Sequence, residues 1–173
     1  MQLPVNKLLY RILTWVGVST AWEVSVGAVL YRDARSGNRE YLLLQYPSGH
    51  FDFAKGHVEE GESEIETLRR ETEEETGLSQ VDVRETSRMS IRYFYVAKGS
   101  EREKRLKTGR GLWIFKEVHF YPAKVVGEAV VTLSHEHIGY VWLLYAEAVE
   151  KATFENAKHL IVETEKIISL AEW

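Results

Sequence analysis

The pattern of apolar and polar positions along the 173-residue chain predicts a mixture of strands and helices. Short apolar segments rich in β-branched and aromatic residues predict strands at residues 24–31, 41–46, 81–84, 88–96, 112–121 and 140–144. Apolar positions three or four apart predict helices at residues 63–76, 146–152 and 155–171. Because strands and helices do not alternate strictly, we expect an α/β fold in which a mixed β-sheet is sandwiched between helices.

The N-terminal segment carries a separate, amphipathic pattern. Its apolar residues recur at helical spacing, namely Val5, Leu8, Leu9, Ile12, Leu13 and Val16. The segment is shorter than the about 20 apolar residues of a membrane-spanning helix, so no stable span is expected. Packing on its own domain or on a second copy is favoured, and attachment to a membrane surface is the alternative. We predict a helical extension at residues 1–22 and one domain at residues 23–173.

Composition and charge narrow the class of protein. The chain has no Cys, which excludes disulfides and thiolate metal sites and suits a reducing, cytoplasmic environment. A formal net charge of −4 argues against a protein that binds duplex nucleic acid mainly by neutralising phosphates. Residues 56–77 hold 9 of the 26 acidic residues, whereas residues 98–110, interpreted as a loop, hold six Lys or Arg against two Glu. An acidic patch facing a basic loop suits a metal-bound polyanion.

The helix predicted at residues 63–76 has the clearest boundaries in the chain. Ser63 and Glu66 form a capping-box pattern at its start, and Gly77 offers a left-handed stop. Its last turn is crowded with negative charge, although the helix dipole disfavours each such charge there by about 0.3–1 kcal/mol. The residues concerned are Glu71, Glu73, Glu74 and Glu75. This placement indicates a role other than helix stability.

Three of these glutamates have the spacing of a metal site. Glu71, Glu74 and Glu75 are three and four positions apart, so their carboxylates project from one helical face towards a common point. Mg²⁺ and Mn²⁺ prefer such all-oxygen ligands and keep positions open for water and phosphates. Arg69 and Arg70, one turn earlier, are expected to pair with these carboxylates. A solvated run of charges is the alternative interpretation of an isolated Glu-rich helix.

The loop before this helix and the helix together resemble the signature motif of the Nudix hydrolases. Residues 56–78 read GHVEEGESEIETLRRETEEETGL, and the motif is G-x5-E-x7-R-E-U-x-E-E-x-G-U. The matching positions are Gly56, Glu62, Arg70, Glu71, Glu74, Glu75, Gly77 and Leu78, while Thr72 replaces a larger aliphatic residue. The resemblance implies the Nudix fold and a metal-dependent pyrophosphohydrolase that cleaves a phosphoanhydride bond.

The resemblance to the Nudix family also implies roles for individual residues. Glu71, Glu74 and Glu75 would bind Mg²⁺ or Mn²⁺, and the carbonyl oxygen of Gly56 would add a ligand. Arg70, together with Glu62, would brace the loop. Glu71 is the first candidate for positioning or deprotonating the attacking water, and a metal-bound substrate phosphate is easier to attack.

Within that family the chain is most similar to the asymmetric diadenosine tetraphosphate hydrolases of animal and archaeal type. The similarity covers residues 24–170 and is carried by residues 41–45 (YLLLQ), 55–62 (KGHVEEGE) and 133–137 (LSHEH). It implies hydrolysis of diadenosine tetraphosphate to ATP and AMP. It also implies that His50 and Lys55 contact phosphate and that Glu136 is a further metal ligand or an alternative base.

The remaining implied contacts concern the base and the outer phosphates of a nucleotide. Tyr95 and Phe154 would flank an adenine by stacking, although each is equally suited to packing. Lys104 or Lys107 would supply a further phosphate contact. His135 and His137 have the spacing of an imidazole metal pair, but the missing third ligand makes zinc the weaker interpretation.

Other functions stay open at this point. The same residues suit a pyrophosphohydrolase acting on other nucleoside diphosphate-linked substrates or on RNA 5′ ends. A Nudix module that senses a nucleotide without turnover is a further alternative, against which the full set of motif glutamates argues. The expected partner is a small nucleotide, no duplex nucleic acid is expected, and a homodimer is possible.

Overall fold

The computed structural model describes residues 7–34, 37–127 and 130–171 of the chain. The strands are β1 (Thr20–Asp33), β2 (Arg39–Gln45), β3 (Phe51–Asp52), β4 (Lys55–His57), β5 (Val81–Val83), β6 (Met89–Val96), β7 (Trp113–Val125) and β8 (Gly139–Leu144). The helices are α1 (Lys7–Trp15), α2 (Glu64–Thr76), α3 (Gly99–Lys107), α4 (Tyr145–Lys151) and α5 (Glu155–Ala171). Among the described residues, no helix has the length and apolar character needed to cross a membrane.

The strands belong to one sheet. Strands β3, β2, β1, β7 and β5 are successive neighbours, while β4 pairs with β1, β6 with β7 and β8 with β2. The pairings of β2 with β1, β3 and β8 are antiparallel, as is that of β5 with β7. The predicted α/β fold with a mixed sheet and helices is confirmed.

The chain divides into two compact units. The first unit comprises Met1–Ser25 and Ser90–Val118, and the second comprises Val26–Met89 and His119–Trp173. Strands β1 and β7 contribute residues to both units.

In the second unit, the segment between β3 and β4 packs closely against strand β1. Leu68 and Thr72 of α2 are almost fully buried. A side chain at Gly27 would have no room, because its Cβ would lie 2.4 Å from the carbonyl oxygen of Ala54. The neighbouring amide of Ala28 donates a hydrogen bond of 3.2 Å to that same oxygen. Glycine at position 27 therefore lets the segment that begins β4 approach the centre of the sheet.

In the first unit, the amphipathic helix predicted at the N-terminus is confirmed as α1. Tyr10 packs edge-on against Trp22 and Phe115, with ring centroids 5.5 and 5.4 Å apart. The predicted apolar stripe divides into a half-buried part, at Leu9 and Leu13, and an exposed part. The exposed residues are Leu8, Ile12, Trp15 and Val16, while Val5 lies outside the described residues.

The segment interpreted as a basic loop at residues 98–110 is instead largely helical, forming α3. Its N-cap residue, Lys98, makes no side-chain capping hydrogen bond. What fixes the helix is Arg105, which is buried and donates to Glu101 at 2.9 Å and to Glu23 at 2.7 Å. Because Glu23 is distant in sequence, local patterns contain no sign of this ion pair.

Candidate functional site

Helix α2 begins and ends where its sequence predicted, which fixes the position of its glutamates. The amide of Glu66 donates to Ser63 Oγ at 3.3 Å, and the amide of Ser63 donates to the Glu66 carboxylate at 2.8 Å. At the other end, Gly77 is left-handed, with a φ of 72°, and its amide donates to the carbonyl oxygen of Glu73 at 2.8 Å. The last two turns of α2 therefore carry Glu71, Glu74 and Glu75.

The carboxyl group of Glu71 lies directly against the backbone of Gly56. A Cβ built at position 56 would be 1.8 Å from both Cδ and Oε1 of Glu71. Strand β4 and helix α2 can approach this closely only because position 56 has no side chain. Burial raises the pKa of Glu71, the hydrogen bond from Arg70 opposes this rise, and the negative charges of Glu74 and Glu136 add to it.

Arg70 ties the loop to the helix with its whole guanidinium group. Its Nε and Nη2 donate to the two oxygens of Glu62 at 2.7 and 2.9 Å, which is a bidentate ion pair. Its Nη1 donates to Glu71 at 2.7 Å and to Glu74 at 3.2 Å, and Nη2 also donates to the carbonyl oxygen of His57 at 3.0 Å. The hydrogen bonds from Arg70 lower the pKa of Glu62 to about 2.

Arg69 does not join this cluster, although its position suggested that it would pair with the carboxylates. Its Nη1 donates to the carbonyl oxygen of Val81, at the start of β5, at 2.9 Å. Adjacent helical residues point about 100° apart, so Arg69 and Arg70 serve different faces of α2.

Glu75 is buried and held by a histidine that the sequence did not assign to it. Its Oε2 is 2.8 Å from His137 Nε2, and only 5% of Glu75 is exposed. Burial raises the pKa of Glu75 to about 8; the charge of Lys55 opposes this rise, and the carboxylates of Glu71 and Glu136 add to it. The only signal in the sequence was the His-x-His pattern, which we interpreted as a weak zinc candidate.

The other two carboxylates of the predicted metal set are more exposed. The Glu74 side chain is 61% exposed, and one of its oxygens lies 3.2 Å from Arg70 Nη1. Glu136 is exposed, and its backbone amide donates to Ser134 Oγ at 3.3 Å. Its charge nevertheless acts on both Glu71 and Glu75. The structure thus groups Glu71, Glu75 and Glu136 electrostatically, and the charge of the exposed Glu74 also acts on Glu71.

Lys55, predicted to contact phosphate, has its ammonium group engaged within the protein. Its Nζ lies 3.0 Å from Asp52 Oδ2 and donates to the hydroxyl of Tyr46 at 3.0 Å and to the carbonyl oxygen of Phe53 at 3.3 Å. Lys55 is also close to the carboxylate of Glu75, since its charge lowers the pKa of that group. A substrate phosphate would therefore replace one of these partners rather than meet a free cation. Sequence reasoning missed both Tyr46 and Asp52.

His50 and Phe154, which are two of the predicted substrate contacts, lie side by side. The His50 ring stacks on Tyr46 with centroids 4.3 Å apart, and its Nδ1 is 2.6 Å from Ser48 Oγ. Phe154 is 45% exposed, and its ring centroid is 5.3 Å from that of His50. This aromatic pair offers an accessible ring face.

The other three predicted substrate contacts belong to the first unit. Tyr95 donates through its hydroxyl to Glu101 at 3.1 Å and stacks with Tyr93 at a centroid distance of 6.3 Å. Burial, followed by the charge of Glu101, raises the pKa of Tyr95 to about 12. Lys104 and Lys107 are exposed on α3.

The fit of this donor set to a divalent cation follows from its charges. As the side chains stand, no three His, Cys, Asp or Glu groups within residues 7–34, 37–127 and 130–171 are close enough together to hold an ion. Glu71 is drawn to Arg70 and Glu75 to His137. Despite these contacts, the carboxylates still repel one another, so a bound cation would stabilise them. Their oxygens are also the ligands that hard divalent ions prefer. The residues therefore fit a divalent metal.

The fold and the site together define an α/β domain whose glutamate-rich loop and helix suit a divalent cation and an anionic substrate. Residues 21–163 match the NUDIX domain. The chain belongs to the Nudix family, whose hydrolases generally use divalent metal ions.

Two relatives and one solved structure are similar to most of the chain. The chain is 33% identical to the asymmetrical bis(5′-nucleosyl)-tetraphosphatase of Caenorhabditis elegans over 141 residues, which are 79% of this chain and 90% of that protein. It is 38% identical to the enzyme of the same name from Rattus norvegicus over 128 residues, 72% of this chain and 77% of the relative. The crystal structure of a C. elegans Ap4A hydrolase binary complex matches with a TM-score of 0.69 and 30% identity, covering 85% of this chain and 98% of that one.

Proposed function

We propose that this chain is a Nudix pyrophosphohydrolase that cleaves diadenosine tetraphosphate to ATP and AMP. The relatives named above support the substrate, because they are tetraphosphatases and match most of the chain. The observation that carries the proposal is the carboxyl group of Glu71, which lies against Gly56 and accepts a hydrogen bond from Arg70, beside the buried Glu75. This arrangement brings together carboxylates that repel one another, at the point where β4 and α2 meet.

We propose Mg²⁺ or Mn²⁺ as the cofactor. The residues that would hold it are Glu71, Glu74, Glu75, Glu136 and the carbonyl oxygen of Gly56. When bound, such an ion neutralises phosphate oxygens and makes the phosphorus easier to attack. Glu74 would turn towards the others by giving up its contact with Arg70, because its side chain is exposed.

The catalytic roles of the chain's own residues follow from their contacts. Glu71 is the first candidate for accepting the proton of the attacking water, since burial has raised its pKa. Glu136 is the alternative base. Arg70 positions Glu71, and His137 positions Glu75. The water oxygen bonds to a phosphorus of the tetraphosphate, and the bridging P–O bond on the opposite side breaks.

The substrate contacts are a further part of the proposal. His50 and Lys55 would bind phosphate, and Lys55 would exchange one of its present partners for a phosphate oxygen. Phe154, half-exposed beside His50, is suited to stack on an adenine. In the first unit, Tyr95 would contact an adenine, and Lys104 or Lys107 would contact an outer phosphate.

Product analysis with a substrate panel tests the proposal. The protein with Mg²⁺ is offered dinucleoside polyphosphates, nucleotide sugars, ADP-ribose and triphosphorylated RNA in ¹⁸O-labelled water. We expect diadenosine tetraphosphate to give ATP and AMP with the label in one product, and Glu74→Gln to lose this activity. Preferential cleavage of RNA 5′ ends would support the alternative substrate class. Tight binding without turnover of any member would identify a sensing module and reject the enzymatic proposal.

We also propose a cytoplasmic location and a domain boundary after residue 22. The absence of Cys from the sequence suits a reducing compartment. The NUDIX match begins at residue 21, two residues before the proposed start of the domain.

A further inference from the structure

The two units of the chain carry opposite net charge. The first unit contains ten Lys and Arg against four Glu, a formal charge of +6. The second contains twelve Lys and Arg against 22 Asp and Glu, a formal charge of −10. A basic unit within an acidic chain is a feature that attracts anionic partners selectively to one surface.

The first unit also exposes an apolar face on α1. Leu8 is 65% exposed, Ile12 48%, Trp15 87% and Val16 56%. Leu8, Ile12 and Trp15 follow one another at spacings of four and three, so they lie along one side of the helix, and Val16 follows directly after its last residue. The other side is anchored through Tyr10, which contacts Trp22 and Phe115. Exposed apolar faces of this kind usually mark an interaction surface.

Basic residues border this apolar face, and acidic residues are missing from its neighbourhood in the sequence. Lys7 and Arg11 precede Leu8 and Ile12 by one position each, and both are exposed. The first acidic residue of the chain is Glu23. An apolar face with a basic border and a tryptophan is the pattern of helices that lie in the plane of a membrane interface.

We propose that α1 binds the surface of an anionic lipid bilayer. Leu8, Ile12 and Val16 would enter the boundary of the acyl chains, Trp15 would lie at the level of the headgroups, and the basic residues would contact lipid phosphates. The proposal goes beyond hydrolysis, because it assigns a second binding surface to the first unit. The enzyme would then act as a peripheral protein.

Helix α3 of the same unit supplies a second basic surface. Its exposed cations are Arg102, Lys104 and Lys107, preceded by Lys98, and Leu106 among them is 53% exposed. Each cation near an anionic bilayer strengthens binding. The aliphatic residues favour lipid over RNA, because single-stranded RNA is bound by aromatic stacking and charge rather than by aliphatic side chains. The basic border disfavours a second copy, since two such faces would repel each other.

Vesicle flotation with the full-length protein tests the proposal. The vesicles contain phosphatidylcholine alone or equal parts of phosphatidylcholine and phosphatidylglycerol, at low and at physiological ionic strength. The apolar face is altered by Leu8→Gln with Ile12→Gln, which retain helix propensity. The matched control is Val130→Gln with Leu170→Gln, because these exposed apolar residues belong to the second unit. Hydrolytic activity and circular dichroism verify that each variant is folded.

A second pair of variants tests charge. Lys98→Gln with Arg102→Gln removes two exposed cations from the first unit, and Lys151→Gln with Lys166→Gln removes two from the second unit. We expect the first pair to weaken binding to the anionic vesicles at least about fivefold. We expect the second pair to leave vesicle binding unchanged.

The expected results for the intact protein are binding to the mixed vesicles, weaker binding at higher salt and about tenfold weaker binding by the Leu8 and Ile12 variant. Equal binding by that variant and its control would overturn the proposal. So would the absence of vesicle binding at low ionic strength. Two further results would overturn it by showing that the surface binds a different partner. One is binding of labelled single-stranded RNA without vesicle binding, and the other is a dimer in sedimentation that the Leu8 and Ile12 variant abolishes.

Discussion

The carboxyl group of Glu71 occupies the space that a side chain at Gly56 would need. The two positions are in different elements, β4 and α2, and a Cβ at position 56 would be 1.8 Å from the Glu71 carboxyl carbon. The Gly56→Ala substitution is therefore expected to displace the end of the Glu71 side chain. Since small misplacements of reacting groups can lower rates by about 100-fold, we expect a loss of that order in kcat with little change in melting temperature.

A matched control for Gly56→Ala is available in the same unit. At Gly139, a new Cβ would lie 3.0 Å from Gln45 Oε1, which is also the far end of a flexible side chain. Gly139→Ala is expected to retain most of the activity. Equal loss of activity in both variants, or unaltered kcat in Gly56→Ala, would show that the position of Glu71 is not critical.

The second prediction concerns the fork of Arg70. Arg70→Lys keeps the positive charge but cannot bind both oxygens of Glu62 while also reaching Glu71. We expect a lower kcat and a lower melting temperature. Arg69→Lys serves as the control, because Arg69 contacts the carbonyl oxygen of Val81 instead. If both lysine variants turn over substrate at the same rate as the unaltered enzyme, the bidentate geometry has no role in positioning Glu71.

The third prediction separates the two candidate bases. Glu136 is exposed, and its charge acts on Glu71 and Glu75. If Glu136 handles the attacking water, Glu136→Gln lowers kcat and leaves the substrate dissociation constant nearly unchanged. Single-turnover kinetics together with equilibrium binding measure the two quantities. Weaker binding with an unchanged chemical rate would instead assign Glu136 to substrate or ion positioning.

The fourth prediction is that Glu64 stabilises the fold in a pH-dependent manner. Burial raises the pKa of Glu64, but hydrogen bonds with Tyr121 and His119 outweigh it, so the pKa is lowered from its ordinary value of 4.5. A carboxyl group with a lowered pKa contributes stability that is complete above 4.5 and is lost as pH falls through the folded-state pKa. The stability advantage over Glu64→Gln should therefore be largest near neutral pH and shrink in acid.

A double-mutant cycle isolates this contribution. Tyr121→Phe removes the hydroxyl that donates to the Glu64 carboxylate. Denaturant unfolding of the single and double variants gives the coupling between the two residues. We expect the coupling to weaken between neutral pH and pH values well below 4.5. A coupling that is constant over this range would mean that ionisation of Glu64 does not matter.

Elements with strong local signals were predictable from the sequence, and α2 is the clearest case. Its capping box and left-handed glycine are local features, and the structure reproduces them at Ser63, Glu66 and Gly77. Helix α3 was missed because its stability depends on the buried ion pair between Arg105 and Glu23, which are 82 residues apart. Strands β3 and β4, with two and three residues, are too short to show a period.

Some contacts of the candidate site could likewise be predicted from the sequence, and others could not. The motif glutamates lie within one helix, so their spacing in the sequence predicted that they share a face. Gly56 was identified by its place in the motif. The contact between Glu75 and His137 joins residues 62 positions apart, and the ion pair between Lys55 and Asp52 depends on the fold of a loop. Side-chain direction was also hidden, which is why Arg69 was expected to join the carboxylates.

The last prediction is that Glu75 lowers stability in the absence of metal. Its pKa is raised to about 8, so the folded state disfavours the ionised carboxylate, and stability falls as pH rises from 4.5 towards that value. In EDTA at alkaline pH, Glu75→Gln should therefore melt at a higher temperature than the unaltered protein. A gain of about 1 kcal/mol corresponds to about 2–4 °C in a chain of this size.

Adding Mg²⁺ should reverse the order of the two proteins. An ion that binds only the folded state raises the stability of that state. The unaltered protein should therefore gain more stability from Mg²⁺ than Glu75→Gln, because the variant has lost one of the charged groups that bind the ion. Glu73→Gln is the control, since Glu73 is an exposed residue of the same turn. Equal Mg²⁺-induced shifts in all three proteins would remove Glu75 from the metal set. The predicted reversal would instead show that the buried carboxylate is kept for binding at a cost in stability, as expected of a site selected for function.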